Sequence, residues 1–421
     1  MSFEERIRRA AQYLVQLPEP ILIVGHLDTD GLAATAIIQD LLTTINKKYS
    51  TQILPQISSA FLQQLPESKS LVVLDGGSTY SFDRPSLVID HHQETCEHKN
   101  VFLLNPLLDN LDGTRDACAA TIAWVIANEL KRPDKASLAV LGAVGDNQDK
   151  PGLTSYNAQA AKTAQEYGLQ IIRAPKLFGI YSHTIKQLLI NSFDLRIPGV
   201  TKNPHGVQEL LDALKIDPYK KYSELTKEKQ QELLSVLEQK KSASLPLYEH
   251  YSLPFDGVLQ DAKRCATFIN ACGRLQKPEL ALSILLGGDS SSAPKVLQEY
   301  KETLNKAMRV YEEEKDVRKN IVVFNAKDAI MPAIAGTVCS IVTKSKMVRE
   351  DVIVLALARY EQGLTKVSAR TMNKKEDLLL LITKAAQAAG GEFGGHRVAA
   401  GAIIPSDKEN EFIDAFCSFV E

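Results

Sequence analysis

The chain is 421 residues long, more than one ordinary hydrophobic core organises, so two or three domains are expected. Hydrophobic residues make up 44% and charged residues 24%, the balance of a soluble globular protein, and no apolar run approaches the roughly 20 residues that cross a bilayer. With 49 Lys+Arg against 51 Asp+Glu the net charge is -2, which excludes a basic surface over the whole molecule and leaves nucleic-acid binding to a local basic patch.

The N-terminal stretch MSFEERIRRAAQYL is charged and amphipathic and lacks the apolar stretch of a signal peptide. Pro18 and Pro20 end this opening helix. Ile21 to Val24 reads as a short, fully apolar strand, and helical periodicity follows from Leu32 to Leu42. Two more apolar strands are expected at Ser70 to Leu74 and Leu87 to Ile89. Short apolar strands joined by helices imply a parallel sheet covered on both faces. Ligands of such sheets bind beyond the carboxyl ends of the strands. Polar residues stand at that end of all three: Gly25-His26-Leu27-Asp28-Thr29-Asp30-Gly31, Asp75-Gly76-Gly77 and Asp90-His91-His92.

Further along, Gly113-Thr114-Arg115-Asp116 precedes an alanine-rich apolar helix (Ala117 to Leu130), whose N-terminus offers an anion site. Another apolar, helical stretch ends in the segment from Gly142 to Asp149. The Lys/Glu-rich stretch from Lys202 to Lys241 reads as a solvated helical pair. From Pro294 to about Lys315, Val296, Leu297, Tyr300, Leu304, Met308 and Tyr311 recur at helical spacing, as in a long helix connecting two lobes. Beyond it, strands at 321–324, 352–357 and 366–369 alternate with helices at about 329–343, 376–389 and 408–420, a second and smaller α/β domain. Six scattered cysteines (Cys96, Cys118, Cys265, Cys272, Cys339, Cys417) form no CxxC pair, which fits a reducing intracellular compartment and argues against a zinc ribbon.

The chemistry concentrates in the first 150 residues. One imidazole and two carboxylates within His26 to Asp30 supply nitrogen and hard oxygen ligands suited to Mn²⁺ or Mg²⁺. Taken alone, Asp30 could be a helix cap. Asp75, Asp90, His91, His92 and Asp146 add to the set, whereas Asp149 reads as a turn residue. So many carboxylates brought together without cations would raise one another's pKa values. Two divalent cations remove that conflict.

These motifs resemble, one by one, those of the DHH phosphoesterase superfamily, named after the triplet that stands here as Asp90-His91-His92. The resemblance implies His26 and Asp28 on one metal, Asp30, His91 and Asp146 on the other, and Asp75 bridging both. Asp90 and His92 would support the ligands or face the phosphate, and the catalytic set is then Asp75, Asp90 and His92. Two ions, Mn²⁺ preferred and Mg²⁺ as the alternative, would activate water for in-line attack on phosphorus. Near the C-terminus, Gly394-Gly395-His396-Arg397-Val398-Ala399-Ala400-Gly401 resembles the signature of the DHHA1 domain, with Ser368 and Arg370 matching that family's phosphate-facing Ser-x-Arg. Its glycines would let backbone N–H groups approach a phosphate.

The segment Asn270-Ala271-Cys272-Gly273-Arg274 resembles the linker of RecJ-like exonucleases, especially archaeal members including those associated with the GINS replication complex. The expected architecture is α/β: a parallel-sheet DHH catalytic domain (1–195), a helical linker region (196–316) and a smaller α/β DHHA1 substrate-binding domain (317–421). Arg115 and Arg274 join Ser368, Arg370, Gly394, Gly395 and His396 as candidate substrate contacts. The implied activity is removal of nucleotides from single-stranded DNA or RNA ends, the strand lying in a groove between lobes. A small-substrate phosphatase or nanoRNase, and a replication scaffold with GINS-like partners, are the alternatives. No membrane partner is expected.

Overall fold

The computed structural model describes residues 2–93, 99–360, 363–373 and 375–420. Cys96 lies outside them; the five other cysteines are buried and free. The chain forms two compact units, residues 1–296 and 297–421. Among the described residues, no helix is long and apolar enough to cross a membrane.

The first unit runs α1 (Phe3–Gln16), β1 (Ile21–His26), α2 (Thr29–Thr44), β2 (Tyr49–Leu54), the short α3 (Ser59–Leu62), β3 (Ser70–Leu74), β4 (Ser86–Ile89), β5 (Val101–Leu104), α4 (Ala119–Glu129), α5 (Ala136–Gly145) and α6 (Ser155–Glu166). It continues through β6 (Gln170–Pro175), α7 (Ile185–Ile190), α8 (Pro204–Ala213), α9 (Lys227–Lys241), β7 (Leu247–Ser252), α10 (Ala262–Arg274) and α11 (Pro278–Leu285). The unit boundary falls inside α12 (Ala293–Glu314), the long helix expected from the 294–315 periodicity.

β1 to β5 form one all-parallel sheet in the order β2-β1-β3-β4-β5. Its central strands are apolar on both faces because helices cover both sides, so they carry no polar alternation. The two strands absent from the sequence reading, β2 and β5, are its edges. In β2 (YSTQIL) only Leu54 is buried, and such a polar edge strand carries little apolar signal. The order reverses between β1 and β3, and at this switch point the parallel sheet opens a crevice at its carboxyl edge.

The stretch from 174 to 245 departs from the expected solvated helical pair. Val207, Leu210 and Leu211 of α8 and Leu233 and Leu237 of α9 are buried in a core of their own with Ile180, Tyr181, Leu188 and Leu189. The Lys/Glu richness of α9 belongs to its outer face; one apolar stripe is enough to bury it.

The second unit contains β8 (Lys315–Val317), β9 (Ile321–Asn325), α13 (Pro332–Lys344), β10 (Ile353–Arg359), β11 (Leu364–Arg370), α14 (Leu378–Ala388), β12 (Glu392–His396), β13 (Ala399–Pro405) and α15 (Glu409–Ser418). Its mixed sheet has the order β12-β13-β11-β10-β9-β8. Leu378, Leu381, Ile382, Phe412 and Phe416 of α14 and α15 pack with Val367, Ala369, Ala400 and Ala402 of the sheet in one core. Glu409, buried at the start of α15, ties the helix to three strands. It accepts from Arg359 Nε (2.7 Å) and Nη2 (2.9 Å), Asn325 Nδ2 (3.0 Å) and Thr365 Oγ1 (2.6 Å).

Burial pushes the Glu409 carboxyl up, but its bonds to Arg359, Asn325 and Thr365 outweigh that and hold it below the ordinary glutamate value. A carboxylate whose pKa falls on folding stabilises above its unfolded pKa of about 4.3, and the contribution is lost as pH falls through the folded value. Because Arg359 is one-third exposed and solvent screens the pair, Glu409→Gln is expected to destabilise this unit by only about 1–2 kcal/mol at pH 7. Amide exchange of β11 in the full chain reads this directly. The gap between variant and wild type should narrow as pH is lowered below 4.

Candidate functional site

His26 ends β1, Asp75 follows β3, and Asp90 and His91 follow β4, so the polar residues gather at the carboxyl edge of the sheet around its switch point. Asp28 and Asp30 stand at the start of α2, and Asp146 follows the last turn of α5. Asp75 has φ 60, the left-handed region that aspartate tolerates better than most residues, and this turn precedes Gly76 and Gly77. The capping role falls on Asp28, whose side chain accepts from Gly31 N at 3.1 Å, not on Asp30.

Three donor sets lie with their ligand atoms within 4.8 Å of one another: His26, Asp28 and Asp75; Asp30, His91 and Asp146; and Asp75, His91 and His92. Asp30, Asp75, Asp90 and His91 are all buried. His91 Nδ1 lies 2.6 Å from the Gly113 carbonyl, which can only accept, so Nδ1 carries the proton and Nε2 faces inward. Nε2 is buried without a hydrogen bond, although carboxylate oxygens of Asp146, Asp75 and Asp30 stand 3.2, 3.3 and 3.6 Å away. An imidazole nitrogen so oriented, ringed by hard oxygens, fits a divalent cation better than it fits any hydrogen-bond partner present.

The remaining groups hold this arrangement. Asp90 accepts from Ser78 N (3.0 Å), His91 N (2.8 Å), His92 N (3.2 Å) and His92 Nδ1 (2.7 Å), so its oxygens are committed within the protein. Asp30 accepts from Ala119 N (2.7 Å) and Ala120 N (2.8 Å) at the N-terminus of α4. The anion site expected for an external phosphate beside Arg115 is therefore filled by the protein's own carboxylate, and Arg115 itself is exposed. Asp149 is no simple turn residue either: it is buried, and Lys263 Nζ lies 2.9 Å from it.

The sequence reading missed Gly113, because its contribution is a backbone carbonyl. It also missed Gln148, which donates to that carbonyl at 3.0 Å and accepts from Asn157 Nδ2 at 2.7 Å. Arg274 ends α10 and is partly exposed.

The other candidates lie in the second unit. In register, Arg370, Ala399 and His396 form one rung across β11, β13 and β12, and Ser368, Gly401 and Gly394 form another. The rung between them, Ala369-Ala400-Gly395, turns toward the core under α14 and α15. Side-chain alternation therefore places Ser368, Arg370, Gly394 and His396 on one face and Gly395 on the other. At strand spacings of about 4.8 Å, Arg370 and His396 stand roughly 10 Å apart with only Ala399 between them. Gly394-Gly395-His396 is thus part of an edge strand paired with β13, a pairing that the residues of the segment do not announce. Gly336 of α13 was also overlooked. A Cβ there would lie 3.2 Å from Arg370 Nη2 and 3.3 Å from Ser368 Oγ, so any larger residue would crowd both side chains.

Fold and site together define a two-unit α/β protein with clustered imidazoles and carboxylates at the carboxyl edge of its parallel sheet. Residues 318–421 match the DHHA1 domain. RecJ of Thermus thermophilus, solved in complex with Mn²⁺, superposes with a TM-score of 0.59 at 19% identity over 99% of this chain; this chain spans 55% of that one. CDC45 from Entamoeba histolytica superposes with a TM-score of 0.57 at 11% identity, covering 99% of this chain and 98% of that one. An uncharacterized protein of Methanocaldococcus jannaschii is 26% identical over 412 residues, 93% of this chain and 91% of its own. Residues 318–421 form a DHHA1 domain, and the chain shares the fold of these RecJ and CDC45 structures.

The electrostatics of the cluster have a measurable consequence. Burial and the Asp75 charge push Asp30 up to about 7, against the pull of His91 and the Cys118 thiol, and burial beside Asp30 raises Asp146. Burial alone would lower His26 and His91. Asp28 and Asp75 nevertheless push His26 up to about 10, and Asp75, Asp146 and Asp30 raise His91. Groups whose folded pKa exceeds the unfolded one stabilise at low pH and lose that contribution as pH rises through the folded value. Protein kept in chelator should therefore melt at progressively lower temperature from pH 5 to pH 9. A melting temperature that climbs across this range would contradict the arrangement of charges.

Proposed function

We propose that this chain is a divalent-metal-dependent phosphodiesterase that releases nucleotides from an end of single-stranded DNA or RNA. The observation that carries the reading is the orphaned Nε2 of His91, surrounded by carboxylates of Asp30, Asp75 and Asp146, with Asp75 also adjoining His26 at 3.1 Å. On this reading His26 and Asp28 hold one cation, Asp30, His91 and Asp146 hold another, and Asp75 serves both. Mn²⁺ is the preferred ion and Mg²⁺ the substitute. Bound divalent cations supply an acidified water and neutralise charge on the phosphoryl oxygens.

The protein's own groups do the rest. Asp90 fixes the partly exposed His92 ring through Nδ1 and its charge favours the protonated imidazole, which can give a proton to a phosphate or leaving oxygen. Ser368, Arg370, Gly394 and His396 bind substrate phosphate on one face of the DHHA1 sheet, where the planar Arg370 guanidinium matches two phosphate oxygens; Gly395, on the opposite face, drops out of the expected set. Arg115 and Arg274 add contacts to the strand. We assign catalysis to residues 1–195, a linker role to 196–316 and substrate binding to 317–421.

RecJ of Thermus thermophilus, whose fold this chain shares, is described with bound Mn²⁺ and also with bound Mg²⁺, which supports a divalent cation as cofactor. The likeness to CDC45 favours a second reading, a replication scaffold with GINS-like partners. The intact ligand set of this chain argues for catalysis, alone or beside such a role.

Mn²⁺-loaded protein should release mononucleotides from end-labelled single strands and leave blunt duplex intact. Absence of any release from folded, metal-loaded protein would refute the proposal. Turnover of dinucleotides equal to or faster than that of long strands would favour the small-substrate alternative. Asp75→Asn should lower kcat by more than the roughly 100-fold that losing an outer-shell partner costs, with the fold retained by circular dichroism. Arg370→Ala should raise KM and flatten the log–log salt dependence of strand binding by about 0.7, the value for one phosphate contact on a single strand.

A further inference from the structure

Four residues of α10 recur at helical spacing on one stripe: Lys263, Ala266, Asn270 and Gly273. Each of them meets a segment that carries candidate metal ligands, at a residue beside those ligands. Lys263 Nζ lies 2.9 Å from buried Asp149, three residues past Asp146. The Ala266 carbonyl accepts the Thr29 hydroxyl at 2.9 Å, and Asn270 Oδ1 accepts the Thr29 backbone N–H at 3.1 Å. Gly273 packs so closely on the segment before Asp28 that a Cβ there would overlap the Leu27 carbonyl oxygen.

Thr29 is buried between Asp28 and Asp30, and on its other side a Cβ at Gly145 would come within 2.6 Å of the Thr29 Cβ. The segment carrying His26, Asp28 and Asp30 is thus gripped between the last turn of α5, just before Asp146, and the stripe of α10. An N–H at the start of a helix has no partner within that helix. Asn270 supplies the missing acceptor from more than 200 residues away in sequence.

We infer that α10 is the clamp that sets the spacing of the metal-binding carboxylates, with Asn270 as its positioning residue. The inference rests on the proposed metal site for its consequence, though not for its geometry. Outer groups that orient ligands typically change metal affinity 10–100-fold when removed. Asn270 would act in this way through the Thr29 amide, touching neither substrate nor metal.

Two measurements on the metal-free full chain test it. Hydrogen exchange of the peptide covering residues 26–31 should speed up by about tenfold or more in Asn270→Leu, stay near wild type in Asn270→Asp, which keeps an acceptor, and leave α13 unchanged. Mn²⁺ titration followed by the electron paramagnetic resonance of free Mn²⁺ should give about 10–100-fold weaker binding in Asn270→Leu, with Asn270→Asp within about threefold of wild type. Should Asn270→Leu fail to fold, Thr29→Val removes the hydroxyl bond to Ala266 and should weaken binding in the same direction. Unchanged exchange at 26–31 in folded Asn270→Leu would overturn the clamp. Wild-type protein that takes up no Mn²⁺ would instead overturn the metal site, with the exchange result still deciding on the clamp.

Discussion

Five aspartates brought together at one edge of a sheet repel one another, and the architecture of the first unit answers that repulsion. Asp30 is met by the amides at the N-terminus of α4, and Asp90 by the backbone of Ser78, His91 and His92. Asp75 lies between His26 and His91. Asp146 and Asp30 are left with raised pKa values, and His91 with an inward nitrogen that no hydrogen bond satisfies. A cluster stabilised at every periphery yet unsatisfied at its centre is built to receive positive charge.

The parallel sheet is what makes such a cluster feasible. Its central strands are apolar on both faces, so polar groups can stand only where those strands end, and parallel strands all end on the same side. The reversal of strand order between β1 and β3 separates the helices there and leaves room for side chains from two loops. Helices α4, α5 and α10 then close in from the flanks, each bringing amides, a carboxylate or an acceptor.

The second unit follows a different rule. Its candidate residues sit within strands, and pleating sorts them: Ala369 and Ala400 turn into the core while Ser368, Arg370, Gly394 and His396 share the opposite face. Alanine and glycine on the rungs between Arg370 and His396 keep that face shallow. Gly336 lets α13 approach Arg370 without displacing it.

The central strands, the helices α1, α2, α4 and α5, the long helix and the α/β pattern of the second unit were legible, because each is a continuous apolar run or a clear helical period. The side-chain types of the candidate site and their gathering at one edge were legible for a related reason: His26, Asp75, Asp90 and His91 each follow or end an apolar strand of the same parallel sheet. What the residues alone could not tell is where partners come from. The edge strands β2 and β5, the separate core of residues 174–245, the pairing of Gly394-Gly395-His396 into a strand, the burial of Asp149 against Lys263 and the occupation of the α4 N-terminus by Asp30 all depend on groups far apart in sequence. Sequence by itself determined the chemical identity of the site, since that is a property of side chains. Only the tertiary structure decided which nitrogen of His91 faces inward, because the deciding group is the carbonyl of Gly113, and every residue has a carbonyl.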